Sequence, residues 1–192
     1  SRPKSGAFNP VKGAAALSRN GNVDEACWLV FLATQFGYRP ETGWAFVEDI
    51  YGGFTNQIVW DWPTVVASPS TMTDWISDNI EILRNYKFGS HRQYSTLKDS
   101  GTGRAIRSYV DWINEAGGHE PLFQSALESV GQNPEDVFDY LYHDMSQVHS
   151  FGRLGKFDYI TMLGKLGLAP VMPGKAYFQE ATGPKYGAQI FF

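Results

Sequence analysis

The stretch NVDEACWLVFLATQFG, Asn22 to Gly37, constrains the fold more than any other part of the chain. Asn22 followed three residues later by Glu25 reads as a capping box, in which Asn22 takes an orphan N–H and Glu25 reaches back. Gly37 reads as the stop. Between them apolar residues nearly encircle the helix, so it has to be buried on all sides by other elements. Sustained period-two alternation is absent from the chain, and helical punctuation recurs along it. Helices are predicted over Trp44 to Tyr51, from near Thr71 through Tyr86, over Gly103 to Glu115, after Asn133-Pro134, over Phe151 to Leu166, and briefly after Pro184. The expected fold class is all-α, with about eight helices and with loops at 53–69 and 86–102.

A chain of 192 residues with 43% apolar and 15% aromatic residues has enough core for one domain, taken as 1–192. Residues 1–7 are expected to be disordered or left over from cloning. The single cysteine, Cys27, sits in an apolar run and points to a reducing, cytoplasmic setting. That run, residues 26–33, is far too short to span a bilayer, and the first residues lack an apolar signal core, so no membrane partner is expected. The net charge of −4 argues against indiscriminate nucleic-acid binding. Within residues 84–107, however, Arg84, Lys87, Arg92, Lys98, Arg104 and Arg107 face one acid, Asp99. A solvated face is the bland reading of this segment. The presence of Tyr86, His91 and Tyr94 favours a site.

Three stretches offer chemistry. In KFGSHRQYSTL, Lys87 to Leu97, a Gly-Ser turn presents His91, Arg92 and Tyr94, the pieces that grip a phosphate and stack an extruded base. The alternative is a surface histidine beside a salt-bridged Arg92. In SFGRLGKFDYITMLGKLG, Ser150 to Gly167, Asp158 shares a helix face with Phe151, Leu154, Met162 and Lys165, and Gly155 clears room beside it. A carboxylate there is paired with Lys165, Arg153 or Lys156, or it stabilises a cationic sugar and orients a water. Asp24 and Glu25 are rival acids already explained by capping. In the closing segment, Gly183-Pro184 at a helix start exposes free N–H groups for an anion, Lys185 adds charge, and Gly187 and Ala188 permit close packing. An ordinary Gly-Pro turn is the other reading. Gly101-Thr-Gly-Arg104 offers a second phosphate position, and neither His143 and His149 nor Cys27 has metal-ligand spacing.

The blocks GNVDEACWLVFLATQFG, FGSHRQYSTL, SFGRLGKFDYITMLGKLGL and ATGPKYGAQIFF together resemble one family, the alpha-glutamyl/putrescinyl thymine pyrophosphorylases of clade 3. The closing pattern also resembles the helix-hairpin-helix of DNA glycosylases, with Thr182 standing where those proteins have the first glycine. The resemblance implies a helix-hairpin-helix glycosylase-like domain that works on modified bases in double-stranded DNA. The leading expectation is a monofunctional DNA glycosylase of antiviral defence, excising a bulky hypermodified pyrimidine from phage-type DNA by base flipping, as a monomer without metal or cofactor. Asp158 and His91 would be catalytic. Trp28, Tyr94, Arg92 and Arg153 would line the base pocket, and Gly183, Lys185, Gly187, Arg104 and Lys165 would hold DNA phosphates. Such glycosylases place their acid well after the hairpin, and only four residues follow Ala188 here, so either the acid comes from elsewhere, with Asp158 as the choice, or the chemistry is not that of a glycosylase. The alternatives are a transferase or pyrophosphorylase acting on 5-substituted thymine, and a non-catalytic reader of modified DNA.

Overall fold

The computed structural model describes residues 8–55, 57–89, 92 and 95–174. Among these residues all the regular structure is helical, with one isolated bridge between Arg39 and Gly43 as the sole β feature. Ten α-helices follow in order: α1 (Pro10–Arg19), α2 (Val23–Phe36), α3 (Ala45–Tyr51), α4 (Trp62–Ala67), α5 (Pro69–Asp78), α6 (Ile80–Leu83), α7 (Arg104–Glu115), α8 (His119–Val130), α9 (Pro134–Asp144) and α10 (Arg153–Lys165). A π-helical turn, Asp99–Gly103, leads into α7. None of the described helices is long and apolar enough to cross a membrane.

The encircled helix is central, as its apolar pattern requires. Eleven of its residues, from Glu25 to Phe36, are buried, and α1, α3, α4, α8 and α10 all pack on it. Its aromatics build a column. Phe31 stacks on Tyr109 of α7 at 3.9 Å between centroids and on Phe151 at 5.1 Å, with Trp28 stacked behind it at 5.4 Å. Ring pairs of this kind add to area burial, so the column ties α2 to α7 and to the start of α10.

The capping box forms only in half. The Asn22 side chain accepts the Glu25 N–H at 3.4 Å, but the Glu25 carboxylate does not return to Asn22. It accepts the Trp62 N–H at 2.6 Å and the Tyr51 hydroxyl at 2.8 Å instead. A buried N–H has no water to turn to, whereas the Asn22 N–H finds the Leu17 carbonyl at 3.0 Å. Glu25 therefore pins the start of α4 to α2. This explains why 53–69 is not the expected uninterrupted loop. Asp61 caps α4 by accepting the Thr64 N–H at 3.1 Å, with proline in its first turn. The long helix expected from Thr71 is broken at Asn79 into α5 and α6.

Candidate functional site

Gly37 does more than end α2. Its backbone stands at φ 75°, ψ 166°, a region essentially closed to other residues, and it lies against Gly89. A Cβ on Gly37 would come to 2.7 Å from the Gly89 Cα, and one on Gly89 to 2.8 Å from the Gly37 Cα. The Gly89 N–H donates to the Phe36 carbonyl at 2.7 Å. Two glycines thus let the chain cross directly over the end of α2, and Arg92 follows three residues later.

Arg92 is carried into the interior, with 8% of its surface left exposed. One guanidinium nitrogen donates to the Ser150 carbonyl at 2.8 Å and the other to Gln35 Oε1 at 2.5 Å. The plane lies over the Phe151 ring, 4.6 Å from its centroid, so the aromatic column ends beneath the cation. The Nε–H is buried and has no hydrogen-bond partner, and no ion pair to a carboxylate accompanies the guanidinium among the described residues. Burial alone pulls its pKa down to about 10, which leaves it cationic at neutral pH. Gly155 clears room for this group, not for Asp158 as the sequence suggested. A Cβ there would stand 3.1 Å from Arg92 Nη1 and 3.2 Å from the Phe151 ring.

Two cavities meet at Arg92. One, of about 400 Å³, is lined by Gln35, Ser95, Thr96, Gly101, Thr102 and Ser150, whose side chains, glycine apart, each carry a hydroxyl or an amide. The other, of about 440 Å³, is amphipathic, with Val30, Ala33 and Met162 set against Tyr38, Trp44, Asp158, Thr161 and Lys165. The Thr161 hydroxyl is buried there without a hydrogen-bond partner among the described residues. Both volumes suit small-molecule groups. An oxyanion fits the first chemically, and a planar ring carrying a polar substituent fits the second.

The structure gathers Arg92, Asp158 and Lys165 around the second cavity and brings the Gly101-Thr102 segment to the first. It separates others. Trp28 is wholly buried, with its indole N–H donating to the Trp60 carbonyl at 2.7 Å, and so belongs to the core instead of a base pocket. Arg153 is half-buried at the start of α10, and Arg104 is exposed at the start of α7; neither lines these cavities. The basic stretch is not one solvent-facing patch, since Arg84 pairs with Glu81, Arg107 pairs with Asp99, and Arg92 turns inward. His91 and Tyr94, and the closing segment with Gly183, Lys185 and Gly187, lie outside the described residues.

A second polar cluster was not foreseen. Asp24 does not serve the cap. Its Oδ1 accepts from His119 Nδ1 at 2.6 Å and from the His119 N–H at 3.2 Å, at the start of α8. His119 is wholly buried, and its Nε2 meets the Tyr109 hydroxyl at 2.8 Å, which meets the Tyr159 hydroxyl at 2.8 Å. The hydrogen bond from His119 holds the Asp24 carboxyl below its usual range, and burial pulls the His119 ring down. The neutral ring then donates to Asp24 and accepts from Tyr109. Both shifts destabilise the fold toward acid. The unfolded chain protonates its histidine below about pH 6.5 while folded His119 resists, and the Asp24 contribution is lost only below about pH 4. Thermal unfolding followed from pH 7 to pH 5 should show a falling melting temperature, and His119→Gln should flatten that slope. An unchanged slope in the variant would assign the acid sensitivity elsewhere.

One protein-family model, alpha-glutamyl/putrescinyl thymine pyrophosphorylase clade 3, matches residues 1–192. No curated protein and no solved structure matches the chain. The family description names a pyrophosphorylase, a group-transfer enzyme, and so overturns the expectation of a hydrolytic DNA glycosylase.

Proposed function

The chain belongs to the alpha-glutamyl/putrescinyl thymine pyrophosphorylase clade 3 family, and we propose that it exchanges a pyrophosphate on the 5-methylene of a thymine for an amine. The observation behind this reading is the buried Arg92, a guanidinium with an unpartnered Nε–H and no carboxylate mate among the described residues, standing where two cavities meet. A buried cation left without an anion is costly unless a ligand supplies one, and guanidinium is the side chain best matched to phosphoryl oxygens. The hydroxyl-lined cavity would take the diphosphate. The amphipathic cavity would take the pyrimidine, with Tyr38 and Trp44 as stacking faces.

In the reaction the bond from the methylene carbon to the pyrophosphate oxygen breaks, and its electron pair leaves on the oxygen. A neutral amine nitrogen forms the new bond to that carbon, and the proton it sheds passes to Asp158. Arg92 gains interaction with the leaving group as its charge develops, which is where stabilisation accelerates the step. The base is carried by double-stranded DNA of phage type and enters everted, because a stacked base exposes too little of itself to fill a cavity of this shape. The Thr182–Ala188 pattern and Lys165 would hold the strand.

The test is incubation with DNA carrying 5-(pyrophosphoryloxymethyl)uracil, with putrescine or glutamate, followed by assay of released pyrophosphate and by mass analysis of the nucleosides. A base in which the amine, less one hydrogen, has taken the place of the pyrophosphate is expected, with stoichiometric release of pyrophosphate. Unaltered bases with no pyrophosphate would exclude the reading. Asp158→Asn is expected to slow transfer by roughly 100-fold or more while binding of inorganic pyrophosphate persists. A variant with unimpaired turnover would remove Asp158 from the chemistry.

A further inference from the structure

Gln35 is buried to 1% exposure in the last turn of α2, and its amide connects three separate parts of the hydroxyl-lined cavity. Its carbonyl oxygen accepts from Arg92 Nη2 at 2.5 Å, and its amide nitrogen donates to Thr102 Oγ1 at 3.2 Å. Thr102 in turn donates to the Thr96 carbonyl at 2.7 Å. The direction of each hydrogen bond is forced. Arg92 has only donors to offer, so the oxygen of the amide must face it. The nitrogen must then face Thr102, and the Thr102 proton must go to Thr96. With Ser150 held on the other nitrogen, the guanidinium is fixed from two sides while its Nε–H stays unspent.

A glutamate has the same shape as glutamine, and at this place it would satisfy Arg92 permanently. The cavity has an amide instead. We infer that Gln35 is the positioning residue of the oxyanion site, holding Arg92 in place without neutralising it, so that its charge is kept for a diphosphate. This inference rests on the pyrophosphate reading above. Gln35 would not touch the reacting atoms; it acts through Arg92, and through Thr102 on the shape of the cavity wall.

The experiment measures binding of inorganic pyrophosphate by calorimetry, and the ligand-free melting temperature, for the wild type, Gln35→Glu and Gln35→Met. Gln35→Glu is expected to weaken pyrophosphate binding at least tenfold while its melting temperature equals or exceeds that of the wild type. The new carboxylate completes an ion pair inside the protein and competes with the ligand. Gln35→Met keeps the volume and withdraws the acceptor, and is expected to weaken binding by a smaller factor with a lower melting temperature. A role confined to stability would move binding and melting temperature together, so a Gln35→Glu protein that loses both in step overturns the inference. So does one that melts like the wild type and binds pyrophosphate within threefold of it, a result that leaves the pyrophosphate reading standing. If the wild type binds no pyrophosphate, both fall.

Discussion

Arg92→Met is expected to lower amine transfer onto pyrophosphorylated thymine by roughly 100- to 1,000-fold, the usual cost of removing one preorganised donor from a developing oxyanion. The variant should still fold. Methionine fills much of the same volume and lies against the Phe151 ring as the guanidinium does. It removes a buried charge that burial alone already pulls down to about 10. It also leaves the Ser150 carbonyl and the Gln35 oxygen without their donor. These two effects oppose each other, so the melting temperature should move by only a few degrees. Steady-state pyrophosphate release, with thermal unfolding as the control, checks this. A variant that keeps more than a tenth of the wild-type rate would place the leaving group elsewhere.

Gly37→Ala is expected to be the most destabilising single-methyl change in this region, and the reason is backbone against backbone. The conformation at φ 75°, ψ 166° is strained for alanine, and the added methyl would meet the Gly89 Cα at 2.7 Å. Strain of this kind costs about 1–3 kcal/mol, and an overpacked contact costs a similar amount. A loss of about 3 kcal/mol lowers the melting temperature by roughly 6–12 °C in a chain of this size. Gly89→Ala meets the same obstacle from the other side, at 2.8 Å from the Gly37 Cα. Relief in either variant requires the crossing chain to lift away from α2, and Arg92 rides on that chain. Pyrophosphate binding should therefore fall further than stability alone explains. Thermal unfolding together with ligand titration reads both, and a Gly37→Ala protein that melts within 2 °C of the wild type would show that the crossing is not tight.

Several helices were legible because their signals are local. Asn22 and Gly37 bracket α2, Asn133-Pro134 opens α9, and the spacing of Ile106, Tyr109, Val110 and Ile113 marks the buried face of α7. The same grammar opens α1, a helix outside the predicted set, where Asn9 caps Pro10 by accepting the Lys12 N–H at 3.0 Å. At α8 the local signal is weaker, since no side chain caps it, and distant acids help to hold both α4 and α8. Glu25 reaches the first N–H of α4, and Asp24 that of α8. Both acids were credited to a cap that needed neither carboxylate.

At the candidate site, Arg92, Asp158 and Lys165 were singled out from the sequence and line one cavity. Gln35 was not, although a glutamine in the last turn of an otherwise encircled apolar helix is a signal that a polar partner waits in the interior. His119, behind Gly117-Gly118, carries no local sign of burial. Yet it is the first residue of the next helix and lies wholly inside.

The sequence by itself determined that the chain is all-α and that the helix at 23–36 is its axis. Capping and periodicity act within one or two turns and can be read without neighbours. Only the tertiary structure decided which buried polar groups meet. Gln35 finds Arg92 across 57 positions and Thr102 across 67, and Asp24 finds His119 across 95. Inside the protein, where water cannot serve as the default partner, such pairs follow from how helices stack and not from the order of residues along them.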